Sequence, residues 1–283
     1  MELEFETADV FTRTRFGGNP LAVVHGAEAL DGPAMQAIAR EFNLSETLFV
    51  LPARDGDEDA FVRIFTPFAE LPFAGHPNVG AAALLARRWG RAGALRLGQA
   101  AGIVVAEVTG EGAEIAAPQP LAIGPVLDPA AVAACAGLPE GAIHLNGHMP
   151  LVAGCGTPFA LAEVEDAATL AGALPDAAAF ARHLPELPGL LLHAPLGVGR
   201  RRVRVFAPLI GVGEDPATGG ANVALAGLLL ELNGGATLRL EVEQGVEMGR
   251  PSELHLAAQR GEDGIRVRVG GGVVPVSRGV IEA

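Results

Sequence analysis

Two stretches of the chain read alike: Arg63-Ile64-Phe65-Thr66-Pro67 followed by Gly75-His76-Pro77-Asn78-Val79, and Arg204-Val205-Phe206-Ala207-Pro208 followed by Gly219-Gly220-Ala221-Asn222-Val223. In each, a strand-type run closed by proline precedes a glycine turn that opens an Ala/Leu-rich run. A weaker third match, Gly18-Asn19-Pro20-Leu21-Ala22-Val23 against Gly156-Thr157-Pro158-Phe159-Ala160-Leu161, is collinear with the other two. Self-similarity in one order and at nearly one spacing is the mark of a duplicated structural unit. Two copies of one fold are therefore expected, residues 1–117 and 118–283, joined near Pro118-Gln119-Pro120, with the final strand able to pack back on the first half.

Each copy shows apolar β-type runs, such as Leu48-Phe49-Val50-Leu51 and Val203-Arg204-Val205-Phe206, broken by Gly/Pro turns around one well-marked helix. Those helices are expected over residues 77–89 and 220–231. A further helix is signalled by Asp31 as N-cap, Pro33 in the first turn, and Met35, Ile38, Ala39 and Phe42 at helical spacing. It should stop near Asn43, which leaves Ser45-Glu46-Thr47 in a short link between a helix and a buried strand.

Composition removes whole classes of function. A chain of 283 residues, 49% hydrophobic and 19% charged, can bury a core in each half without metal or disulfide staples. A net charge of −13 repels nucleic acid and anionic membrane surfaces alike. Every cationic side chain is arginine, so Schiff-base and pyridoxal chemistry lack their amine, and the absence of tyrosine removes a phenol as acid or base. Cys135 and Cys155 have no CxxC spacing and the histidines do not cluster along the chain, so no metal site is expected. The beginning of the chain has neither a basic nor an apolar leader segment, and no apolar run is long enough to span a bilayer. A cytoplasmic protein is the expectation.

The chemistry should lie around the two glycine turns. Exposed amides at a helix start, aided by the helix dipole, form an anion site, and Gly75 and Gly219 would each open one. The alternative is that these glycines only permit tight turns; their symmetric recurrence favours the anion site. Near them in sequence lie Glu70, His76, Glu214 and Asp215, with Glu46 arriving from the Ser-Glu-Thr link. A carboxylate flanked by Phe42, Leu44, Leu48 and Phe49 would be desolvated toward a pKa useful for both giving and taking a proton, or would be an ordinary strand-end carboxylate. His76 is open between a helix-start cap and a substrate ligand, and Asp215-Pro216 between a site residue and a turn initiator.

The chain resembles the PhzF-like isomerases of phenazine biosynthesis, which share the diaminopimelate-epimerase-like fold. The resemblance is carried by Phe16-Gly17-Gly18-Asn19-Pro20-Leu21-Ala22-Val23, Asn43-Leu44-Ser45-Glu46-Thr47, Phe73-Ala74-Gly75-His76-Pro77, Gly213-Glu214-Asp215-Pro216-Ala217-Thr218-Gly219, and Gln244-Gly245 with Met248-Gly249-Arg250-Pro251. It implies an α+β fold of two pseudo-symmetric domains, each a curled, mostly antiparallel sheet around a central helix, with the active site between the helix starts. It implies Glu46 as the single general acid/base, moving a proton between carbons of a small carboxylated substrate without cofactor or metal. His76 and Asp215 match the family's substrate-contacting residues, Gly75 and Gly219 its anion-holding turns, and Asn19 a positioning residue. The family implies a homodimer.

One position departs from the pattern. After Asp-Pro-x-Thr-Gly the family carries a serine where this chain has Gly220, which keeps a backbone donor for substrate and loses a hydroxyl. Racemases of the same fold use two thiols at the opposing helix starts, and here those starts hold no cysteine. A one-base proton shift is the leading expectation. An epimerase pairing Glu46 with Asp215 or His76, and a non-catalytic binding protein, are the alternatives.

Overall fold

The computed structural model describes residues 1–283 as two compact units, Met1–Ala116 with Gly270–Ala283, and Ala117–Val269. No helix is long and apolar enough to cross a membrane.

Unit 1 runs β1 (Glu2–Val10), β2 (Asn19–His25), α1 (Gly32–Phe42), β3 (Glu46–Leu51), β4 (Ala60–Phe65), β5 (Glu70–Leu71), α2 (Gly75–Trp89), β6 (Gly93–Gln99), β7 (Gly102–Val108) and β8 (Gly112–Ala116). Helix α1 forms as its sequence signals require. The Asp31 side chain accepts from the Ala34 amide, Met35, Ile38 and Ala39 are buried, and Asn43 ends it in the left-handed conformation. The strands on either side, β2 and β3, pair in parallel, as do β4 and β6 on either side of α2; the other ladders are antiparallel. Helix α2 touches β1, β2, β3, β6, β7 and β8, so the sheet curls around it. Gly80 allows its close approach, since a Cβ there would stand 2.5 Å from Leu21 Cδ2 and 2.7 Å from Val10 Cγ2.

Unit 2 repeats the plan with β9 (Ala122–Val126), α3 (Pro129–Cys135), β10 (Leu151–Gly154), β11 (Pro158–Glu163), α4 (Ala167–Ala171), α5 (Ala177–His183), β12 (Leu190–Gly197), β13 (Arg200–Ala207), β14 (Val212–Asp215), α6 (Gly219–Asn233), β15 (Thr237–Gln244) and β16 (Ser252–Gly261). Its parallel ladders are again the two that flank helices, β11–β12 and β13–β15. Helix α6 is apolar on nearly every face, and Leu225, Leu228 and Leu230 are fully buried, each contributing roughly 1.5–3 kcal/mol. The last strand, β17 (Gly264–Glu282), begins in unit 2 and ends in unit 1, where it pairs with β1 from Val10↔Val273 to Glu2↔Glu282.

Both central helices start earlier than the sequence pattern predicts. Gly75 and His76 lie in the first turn of α2, and Gly219 opens α6, so these residues belong to the helix and not to a turn before it.

Candidate active site

The side chains of unit 1 converge for a topological reason. Leu21 points at Gly80 of α2, Asn19 lies two residues back on the same strand face, and Glu46 is Leu21's partner across the parallel ladder. His76 precedes Gly80 by one helical turn, which puts it on the same face of α2. The contact follows: His76 Nδ1 lies 3.1 Å from Glu46 Oε2, with the histidine side chain 5% and the glutamate 17% exposed. Gly18, in the left-handed region at φ +63°, turns the chain into β2 just before the fully buried Asn19. Burial pushes the His76 imidazole down to about 3, opposed by a hydrogen bond with the Pro20 carbonyl, so the ring is neutral at physiological pH. Its Nε2 is buried and has no hydrogen-bond partner.

The two helix starts are built alike. Neither Ala74 nor Thr218 caps its helix with a side chain, so the first amides, Gly75 and His76 in α2 and Gly219 to Ala221 in α6, have no intrahelical acceptor. Behind each start sits a buried Asn–Gln pair. Asn78 Nδ2 donates to the Ala74 carbonyl (2.8 Å) and to Gln99 Oε1 (3.3 Å), and Gln99 Nε2 donates back to Asn78 Oδ1 (3.1 Å). In unit 2, Asn222 Nδ2 donates to the Thr218 carbonyl (3.0 Å) and to Gln244 Oε1 (2.7 Å), while Gln244 Nε2 donates to the Asp215 carbonyl (2.8 Å) and Thr218 Oγ1 (3.1 Å). The Asp215 carboxylate accepts from the Thr218 hydroxyl at 2.5 Å, which holds it across the turn into α6. At Gly220 an added Cβ would come no nearer than 3.6 Å to any neighbour, the Phe159 ring, so the glycine leaves room for the serine of the family pattern.

Glu70 and Glu214 do not join the site. Each is gripped by two parallel hydrogen bonds from its own arginine: Arg63 to Glu70 at 2.7 Å twice, Arg204 to Glu214 at 2.8 Å twice. Gln99 was not among the residues picked out from sequence. Its signal was available, because Gln99 follows Asn78 by 21 positions and Gln244 follows Asn222 by 22. Elsewhere in unit 2 the fold brings together His148, Glu163 and His193, a group able to hold a metal ion that linear spacing did not reveal.

Comparison with known proteins agrees with this architecture. The family model described as phenazine biosynthesis-like protein matches residues 8–279. An uncharacterized isomerase of Mesorhizobium japonicum is 38% identical, covering 96% of each chain, and the trans-2,3-dihydro-3-hydroxyanthranilate isomerase of Pseudomonas fluorescens is 37% identical, covering 96% of this chain and 97% of its own. Among solved structures, a predicted epimerase from Pseudomonas aeruginosa superposes with a TM-score of 0.81 at 34% identity over 99% of both chains. A PhzF-family protein of Bacillus anthracis reaches 0.90 at 22% identity over the whole of both chains, and a probable proline racemase from Agrobacterium radiobacter shares the fold at 0.66 and 14%, covering 99% of this chain and 92% of its own. With two repeated units around buried helices and a family match along nearly its whole length, the chain belongs to the phenazine biosynthesis-like family and is an isomerase of the diaminopimelate-epimerase-like fold.

Proposed function

We propose that this isomerase moves a proton between two carbons of a small cyclic carboxylate, of the dihydro-hydroxyanthranilate kind named for its relatives, with Glu46 as the only general acid/base. The observation that carries the reading is the placement of Glu46: partly buried, at the start of a strand, beside a histidine that brings it no positive charge. A carboxylate so placed takes a proton from one carbon and returns it to another on the same face. The uncapped amides at Gly75 and at Gly219 and Gly220 take up the substrate's carboxylate and the negative charge that develops as the proton leaves. Asn19, His76 and Asp215 orient the ring. The mechanism draws on side chains and amides alone.

The name of the Pseudomonas aeruginosa neighbour favours a second reading, epimerisation at one carbon, which needs a second base on the opposite face. His76 is a poor choice, since a ring whose pKa is about 3 has little affinity for a proton at neutral pH. Asp215 is the remaining candidate.

Incubation in D2O with dihydro-hydroxyanthranilate and a panel of cyclic carboxylates, followed by NMR, separates the readings. Deuterium entering with movement of a double bond, and lost in Glu46→Gln, is the expected result. A Glu46→Gln variant that keeps its turnover removes the residue from the role, and inversion at a single carbon selects the epimerase.

A further inference from the structure

Unit 2 contains three ligand-type side chains that the proposed reaction does not use. Glu163 ends β11 and His193 lies within β12, and the two are register partners in the parallel ladder, so they stand side by side on one face of the sheet. Strand alternation identifies the face. Ala162, Leu192 and Ala194 belong to the apolar cluster formed with α3 and α5, so Glu163 and His193 face away from it. His148 arrives from the loop before β10, where Gly147 lets the backbone lie against the glutamate: a Cβ at that position would stand 1.8 Å from Glu163 Oε2. His193 is 0%, His148 6% and Glu163 8% exposed.

The ligand atoms converge. One from each residue lies within 4.8 Å of the others, and the two Nε2 atoms are 2.9 Å apart. His148 Nδ1 lies 2.7 Å from the Met149 carbonyl. A carbonyl only accepts, so Nδ1 carries the proton and Nε2 turns its lone pair to the centre of the group. A histidine anchored through its outer nitrogen on a backbone carbonyl is the arrangement metal-binding imidazoles adopt. Glu163, meanwhile, is a buried carboxylate without an ion pair. Buried charge of that kind is costly unless it is paired or coordinates a cation.

We propose that His148 Nε2, His193 Nε2 and a Glu163 carboxylate oxygen bind one divalent first-row cation, the His193 proton that bridges the two Nε2 atoms moving to Nδ1 as the ion replaces that hydrogen bond, with zinc the best match to two imidazoles and a carboxylate. Tetrahedral bonds of about 2.0–2.1 Å put two nitrogens roughly 3.3 Å apart, so the rings need part by only a few tenths of an ångström. The bound ion ties the His148 loop to β11 and β12 and offsets the charge of the Glu163 carboxylate. Its role is structural, and Glu46 works independently of it.

The full chain is stripped with a chelator, dialysed, exposed to Zn2+ and freed of excess, alongside Glu163→Gln and His148→Gln. About one zinc retained per wild-type chain, a raised melting temperature, and loss of both in the variants is the expected result. Co2+ in place of zinc should give wild type the visible bands of a tetrahedral site, a readout that does not depend on the variants folding. Wild type that retains no zinc and shows no such bands, or variants that fold and retain as much zinc as wild type, would overturn the proposal and leave a hydrogen-bonded histidine pair.

Discussion

Burial pushes the His76 imidazole down to about 3 against the pull of the Pro20 carbonyl, and this has a consequence for stability as well as for chemistry. In the unfolded chain the ring takes up a proton near pH 6.5, while in the folded unit it stays neutral until pH falls to about 3. Across that window the unfolded state binds one more proton. The contribution is therefore complete above about pH 6.5 and is lost as pH falls toward 3, at a slope approaching 1.4 kcal/mol per pH unit. Urea unfolding at a series of pH values should show that slope reduced by about one proton in His76→Gln relative to wild type; identical slopes would mean the ring is solvated. At this scale the sequence was informative about placement. The position of Glu46 was legible because Asn43 stops a helix three residues before a buried strand. The group of His148, Glu163 and His193 was illegible because its members come from a loop and two strands, and only the register between β11 and β12 brings them together.

The duplicated element, a strand, a glycine-opened helix and a return strand, is fastened by an arginine–glutamate fork in front of the helix and an asparagine–glutamine pair behind it. The unit 2 version of the pair is the more heavily bonded, since Gln244 also takes the Thr218 amide at 3.2 Å and reaches the Asp215 carbonyl. Gln244→Leu should thus cost more stability than Gln99→Leu, about 2–3 kcal/mol against about 1–2, because more buried polar groups lose a partner. Chemical denaturation of the two variants measures this, and equal losses would show that the extra bonds add nothing. The repeat was readable at this scale because glycine and proline spacing survives in sequence. The role of the fork glutamates was left open by the sequence, because a glutamate beside a glycine turn looks the same whether it faces substrate or an arginine seven or ten residues before it.

At the scale of the whole molecule, the two units are interrupted differently by the chain. Unit 2 is continuous from Ala117 to Val269, whereas unit 1 needs Gly270–Ala283, which follow it. Val273, 6% exposed and opposite Val10, sits where β17 enters unit 1, and its amide donates to the Glu111 carbonyl. A Val273→Asp variant should lose hydrogen-exchange protection in β1 and β8 while β12 and β13 keep theirs, since an unpaired buried charge destabilises the structure around it. Protection lost equally in both units would show that they open as one. The same interruption sets an order of events during translation. The half made second has all its strands as soon as residue 269 is free, while the half made first must wait, with one side of β1 unpaired, for a stretch of chain that takes on the order of ten seconds to synthesise. The nascent protein therefore closes from its later half backward, and the open edge of β1 is the place where another chain can bind before β17 arrives.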